Sequence, residues 1–467
     1  MPYNVFTFLR KLIFIYQSEF YDYQPFLKFA YSKNIFQKVE KRQKVNWTLK
    51  VKLLYLFSSF LFSLIFGFMT WKFNDNVFFI KLIFLYFFLC LSLPLIVVAS
   101  HIFLLPFDFI AKKIIIKKAQ IKLKQHKNHL KIMAVVGSYG KTSTKEFLKN
   151  IFAEKYSVLA PSGTKNTPLG FAKFINSVSV STEIIIVEIG AFKKGDIKEM
   201  CNIIQPDYGV LTGINEQHLE RFGSLENIIQ AKNEISSYLP KKATLWANTT
   251  SKHVKENVFQ YAECQVIEYQ QNNLQKIKYT KEGKQLLTLK NGLTIKTEFL
   301  GEYFTLMVDL CFKIGQKFNI SEKQIIKALE KTKAIKHRLE PKYFSENDVL
   351  LIDDSFNGNP DGAMSAIKTL SYFKDKHKIY LTPGLVELGS SSEKIHKKIG
   401  ESLAQNVDEV WLIQNSVTEF ILAGLKKYQF NNIRIFSKDI EAHQACKTDL
   451  KPGTALLIQN DWTDNYF

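Results

Sequence analysis

Two glycines, Gly137 and Gly140, join an apolar run to a helical pattern. The apolar run 131–136 predicts a short buried strand, and apolar side chains at helical spacing over 147–152 predict an amphipathic helix. A glycine-rich turn between a strand and a helix directs backbone N–H groups and the positive end of the helix dipole toward one point. The stretch therefore predicts a site for phosphate groups.

The side chains after the second glycine have separate predicted roles. Lys141 is expected to reach the outer phosphates of a nucleotide, and the Thr142 hydroxyl is expected to bind Mg2+. The pattern is the shorter G-x-x-G-K-T-[ST], because Val135 stands where a full Walker A motif has another glycine. The residues predicted to form this phosphate loop are Gly137, Ser138, Tyr139, Gly140, Lys141, Thr142 and Ser143.

The first 131 residues are basic and apolar, with 20 Lys and Arg against 5 Asp and Glu in a chain of net charge +20. Two stretches, 51–71 and 77–107, are each long enough to cross a bilayer, which takes about 20 residues. Basic clusters flank the pair and the link between them is short, so we predict a helical hairpin with both ends in the cytoplasm. This placement of charge favours a membrane surface over nucleic acid. The alternative is a pair of buried helices in a soluble domain.

Residues 3–21 carry apolar side chains at helical spacing, interrupted by Arg10 and Lys11. The pattern predicts an interfacial helix, and an amphipathic helix packed on a neighbour is the alternative. The five cysteines are scattered with no CxxC pair, which indicates reduced thiols in the cytoplasm and no zinc site. The predicted membrane region is 1–130, with an interfacial helix, the hairpin and a basic linker.

Beyond this region short apolar strands alternate with amphipathic helices. The alternation predicts a central α/β domain with a mostly parallel sheet over 131–335, and a smaller Rossmann-like α/β domain over 336–467. Ligands bind at the carboxyl ends of strands in such sheets, and Glu188, His218 and Asn248 all follow predicted strands. A carboxylate in this position is the usual partner of a phosphate loop.

Two of the polar residues have ordinary alternatives when taken alone. A lone histidine such as His218 is more often structural than a ligand. Lys232, in a predicted helix, is more often a solvated surface charge.

Several motifs follow one another from the phosphate loop onward. They are Gly137-Ser-Tyr-Gly-Lys-Thr-Ser-Thr-Lys-Glu146, Asn166-Thr-Pro-Leu-Gly170, Val187-Glu-Ile-Gly-Ala191, Leu211-Thr-Gly-Ile-Asn215, His218-Leu-Glu-Arg-Phe-Gly-Ser224, Ala231-Lys-Asn-Glu234, His337-Arg-Leu-Glu340, Ile352-Asp-Asp-Ser-Phe-Asn-Gly-Asn-Pro360 and Gly384-Leu-Val-Glu-Leu-Gly389 with His396. Their content and order resemble the Mur ligases, especially the members that add D-alanyl-D-alanine to a muramyl peptide. The resemblance covers about 131–467.

The resemblance implies a role for each matching residue. Lys141 and Thr142 would bind the phosphates of ATP and their Mg2+, and Glu188 and His218 would be metal ligands. Lys232 matches a lysine that is carbamylated in the family, which makes it an anionic ligand for a second Mg2+. The residues implied to be catalytic are Lys141, Glu188, His218, Lys232 and Arg338.

The remaining implied contacts are with the nucleotide and the acyl substrate. Asn248 matches an asparagine that contacts the nucleotide, and Asn166 with Thr167 lies where the family lines its acyl-substrate pocket. The residues that match the C-terminal part closing over ATP are Arg338, Asp354, Asn357 and Asn359.

The resemblance implies an ATP-dependent ligase that activates a carboxylate as an acyl phosphate and joins it to an amine. The expected partners are a muramyl-peptide-like acyl substrate, an amino acid or dipeptide, and membrane lipid, with no nucleic acid. Family members that use a UDP-linked precursor have a globular N-terminal domain where this chain has the hairpin. Whether the acceptor is UDP-linked or lipid-linked is therefore open.

Two other functions fit the same sequence. One is a membrane-bound ligase for another polymer, of the poly-γ-glutamate type. The other is a nucleotide-binding membrane scaffold without ligase chemistry. In every case the expected location is the cell membrane, with multiple spans and the catalytic domains on the cytoplasmic side.

Overall fold

The computed structural model describes residues 5–19, 21–31, 45–72, 78–161, 167–271, 274–356, 358–386 and 388–460. The chain forms two compact units, Met1–Ile115 and Ile116–Phe467. Two residues with predicted roles, Asn166 and Asn357, lie outside the described residues.

The described part of the first unit is helical. Its helices are α1 (Val5–Ser18), α2 (Tyr23–Ala30), α3 (Leu49–Lys72) and the beginning of α4 (Phe78–His126). The apolar face of α1 is buried, with Leu9, Leu12, Ile13 and Tyr16 at most 1% exposed. The ring of Tyr16 lies 4.6 Å from that of Phe26 in α2. Of the two interpretations of 3–21, the structure therefore supports the amphipathic helix packed on its neighbours.

Helices α3 and α4 pair with opposite chain directions. The rings of Phe57 and Phe103 stack at 4.7 Å, and Lys50 lies 3.2 Å from Asp108. Candidate membrane spans are found in both helices, Leu49–Trp71 in α3 and Phe88–His126 in α4.

Helix α4 is longer than the predicted span 77–107. It has 49 residues, with Pro94 and Pro106 inside it. The basic segment predicted as a linker is mostly part of this helix. Lysine has a high helix propensity and isoleucine a moderate one. Between Pro106 and His126 there is also no glycine or proline that would end the helix. The first compact unit ends inside α4, whereas the sequence predicts a membrane region as far as residue 130.

The second unit begins with the last turns of α4, which pack on the α/β domain. Ala119 and Leu123 are buried there. Lys122 Nζ donates hydrogen bonds of 3.0 Å and 2.6 Å to the carbonyls of Asn176 and Val178. These turns therefore belong structurally to the domain that follows.

A six-stranded parallel sheet forms the centre of that domain, with the strand order β2-β3-β1-β4-β5-β6. Its strands are β1 (Lys131–Val136), β2 (Val158–Leu159), β3 (Ile184–Glu188), β4 (Tyr208–Leu211), β5 (Thr244–Asn248) and β6 (Gln265–Tyr269). Every residue of β3 and β5 is buried, as expected when helices cover both faces of a parallel sheet.

The helices of this domain are α5 (Lys141–Phe152), α6 (Pro168–Ser177), α7 (Asp196–Ile204), α8 (Leu219–Phe222), α9 (Leu225–Tyr238), α10 (Lys252–Tyr261), α11 (Tyr303–Lys317) and α12 (Glu322–Lys331). The polar segment after α10 contains a three-stranded antiparallel sheet of β7 (Leu274–Tyr279), β8 (Gln285–Leu289) and β9 (Thr294–Thr297). One apolar core joins α5, α11 and α12 to both sheets.

The C-terminal domain contains a six-stranded sheet in which the first strand is antiparallel to its neighbour and the rest are parallel. Its elements are β10 (Glu340–Phe344), β11 (Val349–Asp354), α13 (Pro360–Ser371), β12 (His377–Thr382), α14 (Ser392–Asn406), β13 (Glu409–Ile413), α15 (Thr418–Lys426), β14 (Ile433–Phe436), α16 (Asp439–Thr448) and β15 (Thr454–Gln459). Helix α13 begins with proline, whose fixed φ and missing N–H suit a first helical turn. The predicted fold class, a mostly parallel α/β domain followed by a second α/β domain, is confirmed.

His396 in α14 holds the loop after β12 through a neutral ring. The backbone N–H of Leu385 donates to Nε2 at 2.9 Å, so the ring proton is on Nδ1, which donates to the Ser392 carbonyl at 2.8 Å. Burial lowers the pKa of His396 below its ordinary 6.5, against the hydrogen bonds from Ser392 and Leu385. A second ring proton would face the Leu385 N–H and remove that hydrogen bond.

We expect the free energy of unfolding to decrease as the pH falls below about 6.5, because the unfolded histidine then binds a proton that the folded ring does not. Thermal unfolding of the full chain between pH 5 and 8 measures this dependence. His396→Gln, whose amide oxygen accepts the Leu385 hydrogen bond, should weaken the pH dependence. His377→Gln, at an exposed histidine of the same domain, is the control and should leave it unchanged. An identical pH dependence in His396→Gln and the unmodified chain would contradict the assignment.

Candidate active site

The phosphate loop between β1 and α5 requires glycine at two positions. Gly137 has φ +151° and Gly140 has φ +74°, both in the region that favours glycine. A Cβ on Gly137 would lie 2.1 Å from Thr212 Oγ1, and one on Gly140 would lie 1.9 Å from Tyr303 Oη. The Thr212 hydroxyl donates to the Tyr139 carbonyl at 2.5 Å, which holds the loop against the end of β4. The loop is therefore fixed by its close contact with neighbouring chain segments.

Ser138 and Tyr139 attach the loop to the segment after β4. The Ser138 backbone N–H donates to the carbonyl of Gly213 at 2.8 Å. The Tyr139 ring covers Gly213 so closely that a Cβ there would lie 2.4 Å from Tyr139 Cζ. Burial raises the pKa of Tyr139 to about 12, and the nearby Asp361 acts in the same direction. The phenol is thus a neutral packing group.

Lys141 lies at the start of α5 and folds back over the loop. Its Nζ donates to the carbonyls of Gly137 and Ser138, both at 2.9 Å. Burial lowers the pKa of Lys141 to about 8, while the Glu188 carboxylate opposes and Arg338 reinforces the change. A partly buried cation with few anionic partners is well placed to be stabilised by a bound phosphate.

Thr142 and Glu188 meet beside the loop. The Thr142 hydroxyl donates to Glu188 Oε2 at 2.9 Å, and Glu188 is 6% exposed. Glu188 pairs in register with Val135, so the carboxyl ends of β3 and β1 are adjacent. Hydroxyl and carboxylate oxygens are ligands that Mg2+ prefers, and this pair fits a magnesium site. Ser143 follows in the first turn of α5.

Asn248 ends β5 and is fully buried. Its Nδ2 donates to the Thr212 carbonyl at 2.7 Å, and its Oδ1 accepts from the backbone N–H of Thr250 at 3.1 Å. In this structure the amide connects the ends of β4 and β5. The contact with a nucleotide, implied by the family resemblance, stays a prediction.

Lys232 is buried at 3% exposure in α9, so its interpretation as a solvated surface charge is wrong. Its Nζ donates to the Ala191 carbonyl at 3.3 Å and lies 5.4 Å from the centre of the Phe222 ring. Ala191 follows β3 and Phe222 follows β4 in the chain, so only the folded sheet brings them next to Lys232.

The surroundings of Lys232 favour a neutral amine. Burial lowers the pKa of Lys232 to about 7, and the positive charge of Lys141 adds to this effect. The carboxylates of Asp196 and Glu234 oppose it. A free amine is the form that can react with CO2 to give a carbamate.

His218 lies in the loop before α8 and has a left-handed backbone, φ +62°. Such conformations in residues other than glycine carry strain and concentrate at functional sites. The His218 ring centre is 5.3 Å from that of Phe192, and the Arg221 guanidinium lies 5.2 Å from the Phe192 ring centre. The metal-binding role of His218 stays a prediction.

Arg338 and Asp354 lie next to each other in the C-terminal domain. Asp354 Oδ1 accepts from the Leu339 N–H at 3.2 Å. Burial raises the pKa of Asp354 to about 7, although Arg338 opposes the change. Burial lowers the pKa of Arg338, with Glu188 and Asp354 opposing it. The charge of Glu188 acts on the pKa of Arg338, and that of Arg338 acts on the pKa of Lys141, so the C-terminal domain contributes charge beside the phosphate loop.

Two predicted contact residues cap helices in the structure. Thr167 Oγ1 accepts from the Gly170 N–H at 3.2 Å at the start of α6, and Asn359 Oδ1 accepts from the Gly362 N–H at 3.0 Å at the start of α13. Such caps satisfy N–H groups that the helix itself leaves unpaired. Their predicted contacts with the acyl substrate and with ATP stay predictions.

Asn215 is a site residue that the sequence argument did not select. Its Nδ2 donates to Asn359 Oδ1 at 2.9 Å and to Asp361 Oδ2 at 3.0 Å, although these residues belong to the C-terminal domain. The asparagine lies within the motif Leu211-Thr-Gly-Ile-Asn215, yet no spacing rule distinguishes it from other loop asparagines. Its 2% exposure is known only from the structure.

One group of possible metal ligands among the described residues differs from the predicted set. His337, Glu340 and Asp353 have ligand atoms within 4.8 Å of one another. Lys342 Nζ lies 3.2 Å from Glu340 and 3.5 Å from Asp353. Because this lysine lies within ion-pair distance of both carboxylates, we interpret the group as an ion-pair network.

Comparison with known families gives matches over both α/β domains. The family model of the Mur ligase middle domain matches residues 135–306. That of the Mur ligase glutamate ligase domain matches residues 337–459. The matched ranges contain the phosphate loop, Glu188, Lys232 and Arg338.

Two relatives share the name UDP-N-acetylmuramoyl-tripeptide–D-alanyl-D-alanine ligase. The Bacillus subtilis protein is 25% identical over 336 residues, which is 70% of this chain and 72% of that protein. The Haemophilus influenzae protein is 27% identical over 278 residues, which is 58% of this chain and 60% of that protein. The aligned part is thus less than two thirds of the Haemophilus protein.

Solved structures share the fold. The MurF ligase from Thermotoga maritima in complex with ADP has a TM-score of 0.66 at 24% identity, over 74% of this chain and 80% of that one. A folylpolyglutamate synthase from Mycobacterium tuberculosis has a TM-score of 0.57 at 15% identity, over 76% of this chain and 95% of that one. With family models over its middle and C-terminal domains that together cover more than half of its length, the chain belongs to the Mur ligase family.

Proposed function

We propose that this protein is an ATP-dependent, ADP-forming ligase that adds D-alanyl-D-alanine to the peptide of a muramyl precursor in peptidoglycan synthesis. The two relatives described above are named for this reaction. The observation that carries the proposal is the contact of Thr142 with Glu188 at a glycine-fixed phosphate loop, with Lys141 in the same loop. The loop and Lys141 would bind the phosphates of ATP, and Thr142 and Glu188 beside them would bind Mg2+.

An amine cannot displace an oxygen from a free carboxylate, because that oxygen is a poor leaving group. The carboxylate must therefore be activated first. A carboxylate oxygen of the acyl substrate attacks the γ-phosphorus of ATP, which forms an acyl phosphate and releases ADP. The amine of the dipeptide then attacks the carbonyl carbon, and inorganic phosphate leaves as the amide forms. Both steps concentrate negative charge at the phosphate loop, where Lys141 and the N-terminus of α5 stabilise it.

The predicted ligands would hold Mg2+ next to the negative charge of the phosphates. Thr142 and Glu188 supply the preferred oxygen ligands, and His218 and carbamylated Lys232 would complete the metal sites. Bound Mg2+ neutralises charge on the transferring phosphoryl group. An unmodified Lys232 would repel a cation, whereas its carbamate would attract one.

The buried position of Lys232 supports the carbamate. Its nitrogen must lose a proton before it can attack CO2, and a pKa of about 7 leaves a substantial neutral fraction near neutral pH. The carbamate that forms has an anionic oxygen and removes the cost of a buried positive charge beside Lys141. A scaffold without ligase chemistry would have no need of this arrangement, so the ligase is favoured.

We also propose that α3 and α4 anchor the protein in the cell membrane, with the catalytic domains on the cytoplasmic side. Large apolar side chains on both helices are exposed, among them Leu56, Phe60, Phe88, Ile102 and Phe107. Helices buried in a soluble domain would cover such groups, so this exposure supports contact with lipid. Lys50 and Lys112 pair with Asp108 at one end of the hairpin, as suits the headgroup region.

The first test is ATP turnover by the full chain with D-alanyl-D-alanine and a muramyl-tripeptide acceptor. We expect ADP release to require both the acceptor and Mg2+. Lys141→Ala should lower kcat by about 100-fold or more, because it removes a charge directed at the transferring phosphoryl group. Parallel assays with UDP-linked and lipid-linked acceptors compare the two carriers that the sequence leaves open.

Lys149→Ala is the matched control, since Lys149 lies in the same helix and is 43% exposed. Its kcat should stay near that of the unmodified chain. Product formation by Lys141→Ala at an undiminished rate would reject the proposed site.

The second test concerns the Lys232 carbamate. Lys232→Ala should be nearly inactive, and formate or acetate should restore part of the activity by replacing the lost anion. In the unmodified chain activity should fall as the pH drops below about 7 at fixed CO2, because protonated Lys232 cannot form a carbamate. The exposed Lys241→Ala variant serves as the control for general effects of losing a lysine. Full activity of Lys232→Ala would remove the residue from the site.

The third test is the topology of the hairpin. Single cysteines replace Lys44, Asn74 or Lys117 in a chain whose five native cysteines are removed, and an impermeant thiol reagent is applied to intact cells. Positions 44 and 74 lie outside the described residues, and the expectation there rests on the basic flanks. Residue 74 should react from outside, and residues 44 and 117 only after the membrane is opened. Equal labelling of all three in intact cells would exclude the hairpin.

A further inference from the structure

Asn215 connects the phosphate loop to the C-terminal domain. Its backbone N–H donates to Ser138 Oγ at 3.3 Å. Its side-chain Nδ2 donates to Asn359 Oδ1 and to Asp361 Oδ2, at 2.9 Å and 3.0 Å. Its Oδ1 accepts from the Gln217 N–H at 3.1 Å. The residue thus contacts a phosphate-loop side chain with its backbone and the start of α13 with its amide.

The polarity of this amide is fixed by its partners. Nδ2 faces two oxygen acceptors, and the Asn359 oxygen already accepts from the Gly362 N–H as the cap of α13. Reversing the amide would place an oxygen against the Asp361 carboxylate. A donor at position 215 is therefore required for this contact, and a carboxylate of the same shape would be repelled.

Helix α13 has a second contact with the middle domain near its other end. Lys368 Nζ lies 2.6 Å from Glu302 Oε1, and the Tyr372 hydroxyl donates to the same oxygen at 3.0 Å. Lys368 is 55% exposed, and exposed ion pairs contribute little. Both contacts consist of two polar interactions between α13 and the middle domain. Only the contact through Asn215 also involves a residue of the phosphate loop, Ser138.

We propose that Asn215 is a positioning residue that ties the orientation of the C-terminal domain to the phosphate loop. The inference rests on the proposed function, in which Arg338 and Asp354 of the C-terminal domain contact ATP bound at the phosphate loop. Release of the Asn215 amide lets α13 separate from the loop. The C-terminal domain then no longer holds Arg338 beside the phosphate loop.

The test compares three variants of the full chain in lipid nanodiscs. Asn215→Asp removes both donated hydrogen bonds and sets a carboxylate against Asp361. Asn215→Asp with Asp361→Asn exchanges donor and acceptor and restores one bond between the domains. Lys368→Met with Tyr372→Phe removes the two polar contacts to Glu302 and is the matched control.

We expect Asn215→Asp to lower kcat for ligation by roughly 10-fold or more, with a smaller change in KM for ATP, because two part-buried hydrogen bonds are lost and a carboxylate is set against Asp361. Hydrogen exchange should become faster at 137–141 and at 359–363 together. The double exchange variant should recover part of both properties. The control should change neither the loop exchange nor kcat by more than about twofold, as for exposed contacts.

Unchanged kcat and exchange in Asn215→Asp would overturn the proposal, and so would an equal loss in the control variant. Asn215→Ala, which removes the donors without adding charge, gives the same comparison if Asn215→Asp does not fold. Absence of ligation by the unmodified chain with every acceptor would refute the proposed function. The coupled change in hydrogen exchange would still test the role of Asn215 in that case.

Discussion

The pairing of β1 with both β3 and β4 is the constraint from which the site follows. Parallel register brings the ends of three strands to one edge, so the phosphate loop, Glu188 and the Thr212 segment lie next to one another. Thr212 then bonds to the loop, and Asn248 bonds to Thr212 from the next strand. A shift of one residue in this register would separate Thr142 from Glu188. The buried apolar strands that fix the register therefore also fix the chemistry.

Burial has a common effect on the charged groups of this site. It lowers the pKa of Lys141 and Lys232 and raises that of Asp354, so each is brought toward neutral pH. Charges held in this way are costly in the free protein and gain stability when opposite charge arrives. Such a site favours a multiply charged substrate over a neutral one, because ligand binding removes a penalty that folding has imposed.

Local signals account for what the sequence predicted well. The strand, glycine turn and helix around Lys141 are contiguous, and Glu188 is the last residue of its strand, so position in the fold could be inferred from order along the chain. The burial of Lys232 could not, because Ala191 and Phe222 reach it only through the folded sheet. Asn215 was missed for the same reason, since its partners are more than 140 residues away. Helix α4 is longer than predicted because its lysine-rich part, which predicts a linker by charge, also has apolar residues at helical spacing.

The last turns of α4 determine where the α/β part of the chain can be separated from the first compact unit. Ala119, Leu123 and Leu130 are buried, and Lys122 bonds to the chain after α6. A fragment beginning near residue 127 would expose the apolar surface around Ile203 and Ile204 that these turns cover. A fragment beginning near residue 112 would retain the whole packed segment. A fragment that keeps the α/β part intact therefore begins within a helix, several turns before the first strand of the sheet.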